Sequence, residues 1–275
     1  TARGVGEALK KSNLVKETSF ENMSGGGGGK AIAYIIETAK KQKNTLMVNS
    51  TPIVIRSLQG VFPQSFRDLT LVSSVVADYG VLVVKNDSKY NSWAQVKAAF
   101  EKNPKSVKVA GGSSRGSMDH LVAAQIFKAA GGNPTSVRYV PYDAGGKALA
   151  GLLTGEVDVL STGLGEVLEK HNKGELKIIG VTSNKSVAGI PSFKSMGVSA
   201  FFANWRGFFG APNLPKEKAA AFAEVIKKMY DTPEWETVRA RNGWTNLYQP
   251  TEKFEKFLIL QERIIGSLMK EMGFL

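Results

Sequence analysis

The sequence predicts an α/β protein made of two lobes, and three observations lead to this class. The chain has 275 residues, which is more than one small core needs and suits two lobes of ordinary domain size. Strand-like apolar runs alternate with helical patterns along almost its whole length. Hydrophobic residues make up 43% of the chain, yet no apolar run reaches the roughly 18 residues of a membrane span. We therefore expect a soluble protein with a sizeable core.

The first part of the chain predicts one lobe, which we call the outer lobe. Two strand-length apolar runs, residues 69–76 and 81–85, are separated by a polar break at residues 78–80. Such a break is common where a chain crosses between sheets. The remaining elements expected here are helices at residues 1–11, 30–41 and 93–100, a helix opened by Pro52, and strands at residues 18–22 and 46–50.

A second block then begins its own alternation, which predicts an inserted lobe. Its four strands lie at residues 107–110, 137–140, 157–160 and 176–181, with helices between them. A strand at residues 205–211 returns to the outer lobe, and helices follow at residues 216–230, 233–242 and 251–272. We expect residues 1–105 plus 205–275 to form the outer lobe and residues 106–204 the inserted lobe, with hinges near Ser106 and Asn204.

Composition excludes several classes of function. Cysteine is absent, which removes a disulfide framework, a thiolate zinc site and a cysteine nucleophile. The formal net charge is +12, but the lysines are dispersed among acids, and the chain has no arginine-rich run, finger or helix-turn-helix signature. We therefore expect no nucleic-acid partner. The sequence also lacks a secretory leader, so we expect any signal peptide either to have been removed or never to have been present; Thr1 is not a natural start.

Four polar or glycine-rich loops stand between a strand and a helix, at residues 24–29, 49–51, 111–117 and 142–146. In α/β sheets, ligands sit at the carboxyl ends of the strands. Helix N-termini at that edge present unpaired N–H groups that bind anions. Ordinary helix capping explains any one of these loops, whereas the four together favour binding of a small anion.

Enzyme motifs give one alternative. The run at residues 24–31 differs from a phosphate-binding P-loop at Ser24 and Ala31, so we expect no nucleotide and no cofactor. Gly112, Ser114 and Gly116 match the G-x-S-x-G pattern of a nucleophile elbow.

The base for such a nucleophile would be His171, which follows Asp143 and Asp158 but sits in a polar helix end. His120 is too close in sequence to Ser114, and Asp119 is a first-turn helix charge. A serine hydrolase using Ser114 and His171 is thus the alternative function. Neither histidine has a metal-binding spacing, so we expect no metal.

The aromatic residues divide into core candidates and one ambiguous tyrosine. We expect Trp93, Trp205, Trp235 and Trp244 to pack in the core or between elements. Tyr79 lies in the polar break between two strands, where it could either stack on a ligand or serve structure alone.

Several segments occur in the order seen in one known family. They are residues 111–114, 119–121, 140–149, 155–158, 204–207 and 240–244, which read GGSS, DHL, VPYDAGGKAL, GEVD, NWRG and ARNGW. With them the chain resembles, from Thr1 to its C-terminus, the extracytoplasmic binding proteins of tripartite tricarboxylate transporters, also called Bug receptors.

The resemblance implies a two-lobed periplasmic-binding-protein fold of type II, each lobe a mixed sheet flanked by helices, with the second lobe inserted. It implies a periplasmic, monomeric, non-enzymatic receptor that closes an interlobe cleft around a small di- or tricarboxylate or related organic acid. Such receptors deliver the ligand to one large and one small membrane subunit.

The resemblance also implies ligand contacts through backbone amides and hydroxyls. On the inserted lobe the matching positions are Gly112, Ser113, Ser114, Ser117, Tyr142, Asp143, Thr162 and Gly163, and on the outer lobe they are Ser50, Thr51 and Tyr79. An ionised Asp143 in the cleft would favour a ligand with a donor or amine. Family members carry a strand and a glycine-rich loop before the helix that begins here at Thr1, so we expect part of the outer-lobe site to lie upstream.

Overall fold

The computed structural model describes residues 1–23 and 25–275 and divides the chain into two compact units. Unit 1 comprises Thr1–Ala77, Trp205–Ser267 and Leu275, and unit 2 comprises Asp78–Asn204 and Leu268–Phe274. Both units consist of a β-sheet with helices packed on it, which is the α/β class predicted from the alternating pattern.

The sheet of unit 1 has the strand order β1–β7–β2–β8, and its β1–β7 and β2–β8 pairs are antiparallel. The strands are β1 (Met47–Ser50), the first half of β2 (Thr70–Lys85), β7 (Ala203–Gly210) and β8 (Thr245–Pro250). The helices are α1 (Ala2–Lys11), α2 (Gly29–Glu37), α3 (Thr51–Leu58), α8 (Lys216–Met229), α9 (Pro233–Arg241) and α10 (Thr251–Glu271), the last of which ends within unit 2.

The core of unit 1 forms where α1, α8 and α9 pack on the sheet. Trp235 is fully buried and its Nε1–H donates to Asn246 Oδ1 at 2.8 Å, so the indole is both packed and hydrogen-bonded. Trp205 and Trp244 are also buried in unit 1, and Trp93 is buried in unit 2. The expectation that all four tryptophans are core residues is confirmed.

The sheet of unit 2 has the strand order β6–β2–β5–β3–β4. β3 runs parallel to both β4 and β5, whereas β2 runs antiparallel to β5 and β6. The elements are the second half of β2, α4 (Trp93–Lys102), β3 (Lys108–Gly111), α5 (Met118–Ala129), β4 (Arg138–Pro141), α6 (Gly145–Leu153), β5 (Val159–Gly163), α7 (Leu164–Asn172) and β6 (Leu176–Val181).

The boundary between the units lies earlier than the sequence predicts. β2 is one continuous strand of 16 residues, in which Ala77 pairs with Thr245 and Gly80 pairs with Gly163. The polar break at residues 78–80 therefore does not end the strand, because both sides of it keep ladder partners. The chain passes into unit 2 at Asp78 rather than near Ser106.

Helix α4 belongs to unit 2 for a packing reason. The indole of Trp93 lies 5.5 Å from the ring of Phe127 and 5.1 Å from the ring of Phe193, measured between ring centroids. These contacts fix the helix to α5 and to the segment that precedes β7. Residues 78–105 thus pack with the unit that we expected to begin after them.

Two further predictions differ from the structure. Residues 18–22 form no strand. A strand that the sequence pattern does not predict, β8, forms instead at the polar segment Thr245–Pro250. Within the described residues, no helix is both long enough and apolar enough to cross a bilayer.

Candidate functional site

Three strand-to-helix junctions of unit 2 lie at one edge of its sheet, which we call the carboxyl edge. β3 leads through residues 112–117 into α5, β4 leads through residues 142–144 into α6, and β5 leads directly into α7. Because β3 is parallel to β4 and β5, the three strands end on the same side. The N-termini of α5, α6 and α7, with their first-turn N–H groups and positive dipole ends, are therefore directed to a common region.

Glycines allow the first two junctions to lie against each other. A Cβ on Gly112 would stand 2.3 Å from the backbone nitrogen of Gly145, and a Cβ on Gly111 would stand 2.2 Å from the hydroxyl of Tyr139. The backbone N–H of Tyr142 also donates to the Gly111 carbonyl at 2.9 Å. The loop after β3 is therefore held directly on the start of α6, a contact that a larger residue at position 112 would prevent.

Side-chain hydrogen bonds hold the loop at residues 111–117 in place. Ser113 Oγ donates to Asp119 Oδ2 at 3.0 Å, and the Tyr139 hydroxyl donates to the Ser113 carbonyl at 2.7 Å. Ser161 Oγ donates to the carbonyl of Asp119 at 2.8 Å, which ties α5 to β5. The loop is thus anchored by three elements of the unit.

Asp119 is buried, and burial raises the pKa of its carboxyl to about 6. Hydrogen bonds from Ser113 and from the backbone of Gly112 oppose this shift, whereas the negative charge of Glu166 adds to it. The expectation that Asp119 is a first-turn helix charge is confirmed by its place in α5, and its carboxylate additionally positions Ser113.

His120 holds the other end of the same loop. Its Nδ1 accepts a hydrogen bond from the Gly116 backbone N–H at 3.0 Å, and its ring stacks on Tyr139 with a centroid distance of 4.5 Å. Burial, with a smaller contribution from the positive charge of Arg115, lowers the pKa of His120 to about 4. The imidazole is therefore neutral at pH 7 and acts as a fixed acceptor.

Carboxylates of the chain itself cover the start of α7. The Gly165 backbone N–H donates to Asp78 Oδ1 at 3.2 Å, and Asp78 is buried. Gly163 leaves room for this carboxylate, since a Cβ there would stand 2.8 Å from Asp78 Oδ2. Glu166, in the first turn of α7, accepts a hydrogen bond from the Thr162 hydroxyl at 2.8 Å.

Most of the predicted ligand-binding residues of unit 2 lie at the carboxyl edge. The loop after β3 contains Gly112, Ser113, Ser114 and Ser117, and β5 ends with Thr162 and Gly163. Ser114 is exposed, whereas Ser117 and Thr162 are buried.

Three other predicted side chains face elsewhere. The hydroxyl of Tyr142 lies 2.4 Å from where a Cβ on Gly151 would stand, near the far end of α6. Asp143 is 90% exposed, and its Oδ2 lies 3.2 Å from Lys147 Nζ. The ring of Tyr79 packs edge-on against Phe201 at 6.0 Å and belongs to unit 2, not to the outer lobe as expected.

In unit 1, Ser50 and Thr51 lie where β1 leads into α3. Ser50 is directly opposite Arg206 in the β1–β7 ladder, and the Arg206 guanidinium donates to the Trp205 carbonyl at 3.4 Å. The glycine run precedes α2, with positive φ at Gly25, Gly26 and Gly28, and Ser24 lies outside the described residues.

The structure gives the hydrolase alternative no support. His171 Nδ1 lies 3.3 Å from both the Leu176 carbonyl oxygen and the Ile178 nitrogen, so this ring nitrogen is engaged with β6. Asp119, the acid beside the G-x-S-x-G loop, accepts a hydrogen bond from Ser113 Oγ at 3.0 Å. In residues 1–23 and 25–275, no three His, Asp or Glu side chains come together as metal ligands would.

Sequence reasoning missed Glu166, Asp78 and the anchoring role of Tyr139. Glu166 follows Gly163 by three positions, which is the N3 position of a helix where an acid is favoured. That signal was available in the sequence. The position of Asp78 depends on β2 pairing with β5, a contact between residues about 80 apart in the chain, and no local pattern indicates it.

A sheet whose parallel strands end in helix N-termini, in a chain of two α/β units, is the architecture of solute-binding proteins. The family model described as the tripartite tricarboxylate transporter family receptor matches residues 1–274, and the chain belongs to this family. The resemblance stated from the sequence is thereby confirmed.

Individual relatives are distant. A UPF0065 protein from the tcbD–tcbE intergenic region of Pseudomonas sp. strain P51 is 25% identical over 239 residues, covering 82% of this chain and 68% of that protein. A Rhodopseudomonas palustris protein solved with adipate is 17% identical, with a TM-score of 0.81 over 99% of this chain and 91% of the other. MatC of the same organism, solved with bound malate, is 16% identical, with a TM-score of 0.72 over 99% and 92%. These structural likenesses establish a shared fold.

Proposed function

We propose that this protein is a periplasmic receptor that reversibly binds a small carboxylate and delivers it to the membrane subunits of a tripartite transporter. It acts as a monomer and performs no covalent chemistry. The ligand class includes di- and tricarboxylates and related organic acids.

The observation that carries the proposal is the convergence of three helix N-termini at the carboxyl edge of unit 2. Backbone N–H groups and a helix dipole stabilise an anion without a dedicated lysine. Membership of the receptor family supports the same conclusion. The adipate and malate in the two Rhodopseudomonas structures are both carboxylates, which supports this ligand class.

The proposed contacts are loop residues that the family resemblance implies. On unit 2 they are Gly112, Ser113, Ser114, Ser117, Thr162 and Gly163, and on unit 1 they are Ser50 and Thr51. The proposal does not depend on the side chains of Tyr79, Tyr142 or Asp143, because these are engaged away from the helix N-termini.

Thermal unfolding with a panel of ligands tests the proposal. The panel contains succinate, malate, adipate, citrate, benzoate and aspartate, with butanediol and hexanediol as controls that lack a carboxylate. A ligand at 100 times its Kd stabilises the native state by about 2.7 kcal/mol, so at least one acid should raise Tm by several degrees while the diols do not.

If no acid in the panel shifts Tm or gives heat in titration calorimetry, the carboxylate class is wrong. The absence of covalent chemistry has its own test, which is incubation with a fluorophosphonate probe. Ser114 should remain unlabelled, and labelling that disappears in His171→Ala would contradict a purely binding function.

A further inference from the structure

The carboxyl edge of unit 2 already contains negative charge supplied by the chain itself. Asp78 occupies the start of α7, and Glu166 lies in the first turn of the same helix. Both carboxylates occupy positions that a helix dipole makes favourable for anions. The number of anionic groups that a ligand can add at this edge is therefore limited.

Glu166 is held in place at the point where two junctions meet. Its Oε2 accepts a hydrogen bond from the Thr162 hydroxyl at 2.8 Å, and the same oxygen lies 2.8 Å from where a Cβ on Gly145 would stand. Gly145 begins α6, and its backbone nitrogen lies against Gly112 of the loop after β3. Glu166 thus stands beside the loop to which we assign the ligand carboxylate.

Accessibility separates Glu166 from the other acids of this edge. Asp78 and Asp119 are buried and satisfied within the unit, whereas Glu166 is exposed. A bound molecule can therefore reach the Glu166 carboxylate but not the other two.

The α5 junction is the one best able to accept a ligand carboxylate. Arg115 lies in its loop and its positive charge reaches His120 and Tyr139. At the α6 junction, by contrast, the carboxylate of Glu166 lies against Gly145, the first residue of the helix. A ligand carboxylate at α5 would have Glu166 as its neighbour, and a second ligand carboxylate placed there would be repelled.

We infer that Glu166 is a specificity-determining residue that selects carboxylates bearing a hydroxyl or ammonium donor close to the bound carboxylate. The inference rests on the proposed function and narrows the ligand class from carboxylates in general to hydroxy- and amino-carboxylates. Glu166 already accepts from Thr162, and a hydroxyl or ammonium on the ligand would add a charge-assisted hydrogen bond that an unsubstituted analogue cannot supply. Hydroxy- and amino-acids should therefore bind more tightly than unsubstituted diacids.

Titration calorimetry on the whole chain tests this with matched ligands of two lengths. The four-carbon set is succinate, malate and aspartate, and the six-carbon set is adipate and 2-aminoadipate. One of the two lengths should fit the wild-type site. Within that set, the hydroxy or amino acid should have a Kd about tenfold or more below that of the unsubstituted diacid.

Two variants and a control assign the effect to Glu166. Glu166→Gln removes the charge and should abolish the preference for ammonium, and Glu166→Leu removes the acceptor and should abolish the preference for hydroxyl as well. Glu169 lies on the same helix, is exposed and forms an ion pair with Lys173 on the surface. The control variant Glu169→Gln should therefore keep the wild-type ratios of Kd values. Circular dichroism verifies that each variant is folded.

The outcomes separate this inference from the proposed function. If the wild type binds succinate or adipate as tightly as the donor-bearing acids, or if the Glu166 variants keep the wild-type ratios, the role of Glu166 is wrong while carboxylate binding stands. If the folded wild type binds none of these acids nor any other carboxylate of the panel, the proposed function fails and the inference fails with it.

Discussion

The two units differ in how their sheets arrange the strand-to-helix junctions. In unit 2, β3, β4 and β5 are parallel, so three helices begin at one edge of the sheet. In unit 1, the β1–β7 and β2–β8 pairs are antiparallel, and in the described part of that sheet the β1–α3 junction has Arg206 opposite it. The comparison teaches that parallel strands gather helix N-termini at one edge of unit 2, whereas the junction in unit 1 has a cationic residue opposite it in the sheet.

The units also differ in their buried charge. The carboxyl edge of unit 2 contains the buried acids Asp78 and Asp119 together with a neutral His120. Carboxylates buried beside an edge made of helix N-termini keep that edge from becoming strongly positive. This explains why a chain with a net charge of +12 need not bind anions indiscriminately.

The largest expected effect comes from Gly112→Ala. The added Cβ would stand 2.3 Å from the Gly145 backbone nitrogen, so the loop must leave α6 and the binding geometry is lost. We expect affinity for the best carboxylate to fall at least about 100-fold, with a loss of stability of about 1–3 kcal/mol from overpacking. Calorimetry and urea unfolding measure the two effects.

Gly146→Ala is the matched control, since nothing lies within 4 Å of a Cβ at that position. It should bind as the wild type does. Equal loss of affinity in both variants would contradict the role assigned to the contact between the two junctions.

A second prediction concerns pH and the buried acid of unit 2. The pKa of Asp119 is raised from 3.8 to about 6 in the folded protein, so the folded state binds this proton more tightly than the unfolded state. The stability that the protonated group contributes is fully present below about pH 4 and is lost as pH rises through 6. Asp119→Asn has no such proton, so it should gain about 2 kcal/mol relative to wild type between pH 4 and pH 7.

Urea unfolding at the two pH values measures this difference. The lowered pKa of His120 destabilises the fold as pH falls from 6.5 towards 4, but it acts in both proteins and cancels in the comparison. Parallel pH curves for wild type and Asp119→Asn would show that the Asp119 carboxyl is not buried in the way described.

A third prediction tests whether β2 contributes to two cores that unfold separately. Val75 and Val83 are both fully buried, the first in the core of unit 1 and the second in that of unit 2. Either change to alanine should cost about 2 kcal/mol. Hydrogen exchange should then become faster in residues 47–58 for Val75→Ala and in residues 108–129 for Val83→Ala. Equal acceleration of both regions in each variant would show that the units unfold as one.

Local patterns predicted much of this molecule and failed where distant contacts decide. The β3–α5 and β5–α7 junctions follow from apolar runs that end in glycine and serine, which is why the loop at residues 111–117 was found. β8 is polar and half-exposed, so only its pairing with Ser73–Ala77 makes it a strand. Asp78 was assigned to a break between strands because the sequence does not show that Gly163 and Gly165 lie beside it.

The smallest expected effect concerns Asp143, which the sequence places next to the ligand loops. Its carboxylate is 90% exposed and pairs with Lys147 on the surface of α6, whereas Glu166 is fixed by a hydroxyl against the start of that helix. Asp143→Asn should therefore change the Kd of the best carboxylate by less than about twofold, because an exposed charge is screened by solvent. Calorimetry at low and physiological salt measures it. A tenfold change at both salt concentrations would show that Asp143 contacts the ligand, and would move the acidic specificity contact of unit 2 from α7 to the β4–α6 junction.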